Sequence, residues 1–345
     1  MQAWRSRRRP RFPAMRAPPH GPPSPGKKSN ASAIAASQVF GVSRLTRLTI
    51  VVEGTQVRHY RHFRLSQSAT GHHAFTLVLD HDSLGSPEDQ EMAQARKLMG
   101  KRILVTFSYR DVPSGSPERD FVGVVTRVGY SREHGNRGHV VLKGGSPTVL
   151  LDGAPHIQSF GGTQQAPLGS VARSVLKEGL GDKYGFRVEP SFTGSLSYSC
   201  QYDETHYNYL ARMAQAYGEQ FFYDGNKVHF GRLPPPEKAI PLTFGKDVEE
   251  VELEMAARHV DRAMYGYNSS SHELLTAART ETRHQSSLAK AAYGISGKPF
   301  RTPSLRTAPL RAVTGKDVEA AQQGAAGSEA VDVFTTTGRT SVPFL

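Results

Sequence analysis

The chain has 345 residues, enough for two or three domains with sizeable cores. It carries 43 Lys and Arg against 31 Asp and Glu, but eight of the basic residues (Arg5, Arg7, Arg8, Arg9, Arg11, Arg16, Lys27, Lys28) crowd an acid-free start, so the body of the chain is nearly balanced and gives no charge argument for nucleic-acid binding. The lone Cys200 excludes an intrachain disulfide, and no apolar run reaches the roughly 20 residues that span a bilayer.

Residues 1–40 are Pro, Arg, Ser and Ala with little to bury, and are expected to form a disordered basic tail. The Arg-rich start lacks the apolar core of a secretory signal, and the prolines after Arg7-Arg8-Arg9 argue against a twin-arginine leader. A polybasic arm for nucleic acid or anionic lipid is the sharper reading, a solvated tail the plainer one; only Trp4 and Phe12 stand among the arginines, few aromatics for base stacking.

Residues 41–145 read as a β-barrel-like domain. Leu45–Val52 is rich in β-branched residues, Glu53-Gly54 reads as a turn, Val57–Ser68 continues extended, and Ala74–Leu79 is a further strand. Ser86-Pro87 followed by acids predicts a helix running to Met99 and stopped at Gly100. Alternation predicts a strand over Ile103–Tyr109, then a strand pair over Phe121–Tyr130 and His139–Leu142.

Residues 146–233 read as an α/β middle domain. Val171, Val175 and Leu176 mark a helix over Leu168–Gly179, with Ser170 as one possible cap, and Val188–Tyr198 reads as extended. A second helix is predicted from an Asp203 N-cap to Gly218, with Tyr207, Leu210, Ala211, Ala214 and Tyr217 as its apolar face. Asp224-Gly225 then predicts a type I′ hairpin between Glu219–Tyr223 and Lys227–Gly231.

Residues 234–345 read as a second, incomplete barrel-like domain after the Pro234-Pro235-Pro236 break. Strands are predicted over Ile240–Phe244, Val248–Leu253 and Ala263–Tyr267, and 268–327 as a long low-complexity insertion. The fold class expected is therefore mixed β with α (α+β): two barrel-like domains flanking an α/β middle domain, behind a disordered tail. No fixed-period repeat is present.

His59, His62, His72, His73 and His81 crowd one region but show no paired ligand spacing and sit partly on opposite strand faces. Cys200 and His206 lack a nucleophile signature, and Asp203 with Glu204 is already explained by capping. Gly144-Gly145 and Gly161-Gly162 are not followed by the Gly-Lys-Ser/Thr of a phosphate loop. No catalytic, cofactor-binding or metal-binding residue is predicted, and no enzyme activity.

Four stretches, in order, resemble the hub segment of VgrG-type spike proteins, which is related to late-control D proteins of contractile phage tails. Leu65-Ser66-Gln67-Ser68 with Gly71–Leu77 resembles strands of the family's first barrel, and Phe121–Thr126 its F-x-G-x-V strand. Gly145–Gly153 resembles the SPT-x-LLD turn, and Gln201–Thr205, Tyr209–Arg212 and Gly218–Tyr223 the QY-x-E…FL-x-RL…GE-FFY helix and hairpin. The match covers roughly residues 45–260 and looks like the variant common in Bacteroidetes-type secretion systems. The resemblance implies a non-enzymatic homotrimeric hub that adapts a hexameric tube protein to a trimeric spike. It would contact spike-tip or effector proteins and baseplate components, with no small-molecule substrate, specific nucleic acid or cofactor. It would assemble in the cytoplasm and leave the cell with the apparatus. Family members usually continue into an oligonucleotide/oligosaccharide-binding barrel and a β-helical needle. Val331–Thr335 looks like the lead-in to that barrel, so either the spike is interrupted or it is a separate chain, as in a phage-tail-like baseplate hub.

Overall fold

The computed structural model describes residues 46–80, 91–110, 118–131, 138–232, 242–258, 262–277, 287–300, 304–308, 314–331, 333–340 and 342. All belong to the unit Leu45–Leu345. The basic tail, His81, the Ser86 helix start and the Pro234–Pro236 break lie outside the described residues.

Residues 46–145 build one seven-stranded antiparallel sheet. Its strands are β1 (Thr46–Val52), β2 (Thr55–Val57), β3 (Tyr60–Ser66), β4 (Ala74–Leu79), β5 (Arg102–Tyr109), β6 (Arg119–Ser131) and β7 (His139–Gly145), in the order β2-β1-β5-β6-β7-β4-β3. Between β4 and β5, helix α1 (Glu91–Ala95) passes into a 3₁₀ turn, Arg96–Leu98. Alternation sets the inner face: Ile50 and Val52, Phe75, Leu77 and Leu79, and Ile103 and Val105 are all buried. The sheet curls. Phe63 of β3 lies 6.1 Å from Phe107 of β5, ring to ring, although β6, β7 and β4 separate these strands in the ladder. No strand pairing joins β1 to β3 among the described residues, so the roll is a half-barrel. Central β6 is buried on both faces from Phe121 to Val125, because a second layer covers its outside.

That layer is the middle segment. A 3₁₀ turn (Pro147–Asp152) leads into β8 (Pro155–Pro167), α2 (Leu168–Leu180), β9 (Gly185–Glu189), β10 (Ser195–Thr205), α3 (His206–Tyr217), β11 (Gln220–Tyr223) and β12 (Lys227–Gly231). β8 and β10 form an antiparallel ribbon; β11-β12-β9 forms a small sheet in which β12 and β9 run parallel. Val171, Val175 and Leu176 of α2 are buried, as their spacing predicts. Helix α2 starts at Leu168 after Pro167, with no side-chain cap, so Ser170 lies inside it.

Helix α3 departs from its expected start. β10 holds its pairing with β8 as far as Thr205, so Asp203 sits at a strand irregularity with φ +51° and Thr205 is the cap, accepting from the Asn208 amide at 3.1 Å. The buried face is correspondingly rotated to His206, Tyr209, Leu210, Met213, Ala214 and Ala216; Tyr207, Ala211 and Tyr217 are only half-buried. Gly218 ends the helix in the left-handed conformation (φ +70°, ψ +24°). The following hairpin is not type I′. Only Gly225 has positive φ, because the Asp224 carboxylate accepts from the amides of Asn226 and Lys227 at 2.7 Å each and builds an Asx turn instead.

The C-terminal segment comprises β13 (Val248–Met255), β14 (Arg262–Asn268), β15 (Glu273–Ala277), α4 (Ser287–Ser296), β16 (Ser304–Thr307), α5 (Gly315–Val331) and β17 (Phe334–Thr340). Its described strands make a β13-β17 ribbon and a three-stranded sheet, β15-β14-β16, rather than a second curled sheet. The stretch 268–327, expected as low-complexity, carries β15, α4, β16 and most of α5. Phe244 makes a single bridge to Val248 and is not in a strand, and Val331–Thr335, read as a lead-in to a further barrel, runs from the last residue of α5 into the start of β17, which pairs back onto β13. In α5 the amide and hydroxyl of Thr314 donate to Asp317, a capping pair.

One core runs through the curled sheet and the middle layer together, from Ile50 and Leu77 to Leu151, Val175, Leu210 and Phe230. A second, smaller cluster joins Met264, Leu275, Ala277 and Ala308 to Val318 and Ala321 of α5. Helix α5 also lies against α3, where burial and then Asp317 raise the Tyr217 hydroxyl to about 12.

Candidate functional site: the inter-layer joint and the exposed ribbons

The residues that carry the family resemblance meet at the joint between the curled sheet and the layer above it. Ser146, fully buried, accepts the His73 amide at 3.0 Å and shares a 2.7 Å hydrogen bond with Thr148. Thr148 also lies 2.8 Å from His72 Nδ1, and His72 Nε2 is 3.3 Å from the Asp152 carboxylate. Asp152 accepts from the Thr205 hydroxyl at 2.6 Å, which links this turn to the cap of α3. Tyr207 sets its ring 4.2 Å from that of His72, tilted by 52°, and donates to the Thr70 carbonyl at 3.1 Å. On the other side, the Tyr223 hydroxyl lies 2.7 Å from each of the carbonyls of Val122 and Gly225, and the Val122 amide donates to Gly225 at 2.7 Å.

Electrostatics at the joint favour a neutral His73 and an ionised Asp224. Burial lowers the pKa of His73, partly opposed by its hydrogen bond to the Ser68 carbonyl; its ring sits between Phe121 and Tyr223. Burial raises the Tyr223 hydroxyl far above its ordinary value. Burial pushes Asp224 up, but the Lys227 and Asn226 amides and His229, 2.6 Å away, outweigh it and the net shift is downward.

The histidines considered together from the sequence do not converge. His59 and His62 face outward at β3, whereas His72 and His73 turn into the joint. Cys200 and His206 point to different surroundings: the Cys200 side chain meets Tyr198, while the His206 ring meets Gln201, Glu178 and His156. Glu204 pairs with Arg212 rather than serving the helix start. Gly144 and Gly145 lie in β7, packed against β6, and Gly161 and Gly162 lie in β8 with positive φ. A cleft of about 280 Å³ follows the open seam between β1 and β3, lined by Leu48, Phe63, Leu65, Phe107 and Phe121, with Arg119 and Asp120 at one end.

A feature the sequence did not mark is a set of apolar side chains held outward on ribbons. Ile157 of β8 and Tyr202 of β10 face each other in register and are each 73% exposed. On β13, Val251, Leu253 and Met255 alternate with Glu250, Glu252 and Glu254, and are 51%, 59% and 62% exposed. Tyr267 and Leu274, opposite each other on β14 and β15, are also exposed. A two-stranded ribbon with one uncovered apolar face is marginal alone in water. The second unmarked feature is a group of three ligating side chains, His156, Glu178 and His206, separated by 22 and 28 residues with no spacing motif.

The fold recurs in solved tail proteins. The tail protein from Neisseria meningitidis MC58 aligns over 85% of this chain and 80% of its own, with 12% identity and a TM-score of 0.56. The 43 kDa tail protein of prophage MuSo2 from Shewanella oneidensis aligns over 86% and 84%, with 12% identity and a TM-score of 0.57. A component of the E. coli type VI secretion system, itself described as similar to the T4 tail proteins gp27 and gp5, aligns over 60% and 56%, with 12% identity and a TM-score of 0.43. No protein-family model and no curated protein matches the chain. At such identities the likeness to the two tail proteins establishes a shared fold. Among the described residues, no helix is long and apolar enough to cross a membrane.

Proposed function

We propose that this chain is a structural hub of a contractile injection machine, of the kind found in VgrG-type spikes and phage baseplates. The observation that carries the reading is the tail-protein fold over 85–86% of the chain, combined with apolar ribbon faces that have no cover among the described residues. The order of sequence motifs adds support, because those motifs form the joint that fixes the α/β layer on the curled sheet.

In this reading the subunit forms a homotrimer, seats a hexameric tube protein, and contacts spike-tip, effector and baseplate proteins. Closed rings use heterologous contacts, in which one patch meets a different patch on the next copy. The β13-β17 ribbon suits such a contact: its apolar face requires a partner, and its glutamate row stays wet. The C-terminal sheets are small in the isolated subunit, so the second tube-like module would be completed between copies. The machine would carry the protein out of the cell. No chemical step is assigned to it.

Native mass spectrometry of the full chain, alone and with the tube protein, tests this. A trimer, formed alone or on the tube, is the expected result. A monomer that never associates with itself or with the tube protein overturns it.

A further inference from the structure

We propose that His156, Glu178 and His206 form a binding site for one divalent transition-metal ion, with zinc as the best-suited ion. The site is independent of the assembly reading. Each residue offers one ligand atom, and these atoms lie within 4.8 Å of one another. The two imidazole rings stack at 3.9 Å and 13°, and His206 Nε2 lies 3.8 Å from the Glu178 carboxylate. Imidazole with carboxylate is a donor set that zinc accepts, and three protein ligands leave a fourth position for water or an outside group.

The surroundings prepare His206 for ligation. Gln201 is fully buried, and its amide is pinned: its nitrogen donates to the Glu204 carbonyl at 2.8 Å, and its oxygen accepts from Gln158 at 2.7 Å. That oxygen also lies 3.3 Å from His206 Nδ1. The amide nitrogen lies 3.2 Å from the same Nδ1, so Gln201 holds the ring in either tautomer, and with the proton on Nδ1 the Nε2 is bare toward Glu178. An outer partner that orients a ligating histidine is a regular feature of metal sites. Close packing holds the ring in place: a Cβ on Gly179 would stand 3.2 Å from His206 Cδ2 and 2.4 Å from Leu151.

The other two ligands supply adjustment and access. No hydrogen bond holds either ring nitrogen of His156 among the described residues; its ring contact is the stack on His206. It stands second in β8, where a small rotation of the ring turns its lone pair from parallel to convergent. Tetrahedral zinc with bonds of about 2.0–2.1 Å needs donor atoms about 3.3 Å apart, so the closure required is a side-chain movement. Glu178 is half exposed and opens the site to ions from solvent. Occupancy would tie the start of β8, the end of α2 and the start of α3 to a single point.

Equilibrium dialysis of the full chain against zinc chloride, with metal content measured on the dialysed protein, tests the assignment. One zinc per chain is expected, with cobalt(II) giving the visible absorption of a four-coordinate site. His156→Ala and Glu178→Gln alter exposed or half-buried groups, so their metal-free melting temperatures should stay near that of the parent while zinc affinity falls at least about 100-fold, more than the 10–100-fold typical of outer-shell partners. No zinc retained at micromolar free metal overturns the proposal. So does zinc bound equally well by the two variants, which would place it on other histidines such as His59 or His62.

Discussion

The hydroxyl of Tyr223 sits 2.7 Å from the carbonyl of Val122, 101 residues earlier in the chain. This contact crosses from the α/β layer to the central strand of the curled sheet, and Val122 returns it by donating its amide to Gly225. Tyr223→Phe removes the donor and leaves the ring packing, so it should cost about 1–2 kcal/mol. Urea unfolding followed by circular dichroism reads that loss; an unchanged midpoint would show that the joint does not depend on this hydroxyl.

Stability should also fall on mild acidification, through His73. Burial lowers its pKa, so the unfolded chain, with a ring near 6.5, takes up the proton first. The contribution from neutral His73 is present in full above pH 6.5 and is lost as pH falls from there toward the lower folded value. His206, also lowered by burial and by His156, acts in the same direction. The test is therefore a comparison: His73→Gln should lose less stability than the parent between pH 7.5 and pH 5.5.

Gly144→Ala should disrupt the curled sheet. An added Cβ would stand 1.9 Å from the Val124 carbonyl oxygen and 2.6 Å from the Phe75 ring. A backbone carbonyl in a central ladder cannot rotate aside, so the cost should reach or pass the upper end of the about 1–3 kcal/mol usual for overpacking. Thermal melting of the soluble fraction measures it, with Gly129→Ala, whose nearest neighbour would lie at 3.9 Å, as the tolerant control.

Replacing Val251, Leu253 and Met255 by Thr keeps strand character and removes the exposed apolar face. The melting temperature of the subunit should be nearly unchanged, whereas self-association and tube binding, read by light scattering after gel filtration, should drop at least about tenfold. Loss of folding without loss of association would assign the ribbon a role within the subunit instead.

Sequence pattern marked those parts of the fold that bury a regular face. Alternation exposed β4 and β5 because Leu77, Leu79, Ile103 and Val105 point into one core. It missed β8, PHIQSFGGTQQAP, in which no residue is fully buried and only Phe160 and Ala166 reach the core, so the ladder with β10 carries most of the strand. The same ladder carried β10 two residues past the predicted helix start and moved the cap from Asp203 to Thr205. Helices α4 and α5 were hidden by Ala, Gly and Ser: α5 packs through Val318 and Ala321, side chains too small to give a strong periodic signal. The joint was legible as motif residues, though not as a joint. The His156–Glu178–His206 group was invisible, because three separate elements bring it together.

The shared core bears on how this molecule could be re-engineered. Leu77 under the curled sheet and Val175 or Leu210 above it belong to one apolar mass, whereas Met264 and Val318 belong to another. A chimera spliced at residue 145 would inherit half of an interior and expose the rest to water. Transplanting the first two layers as a cassette, with the splice placed beyond Gly231, keeps that interior whole.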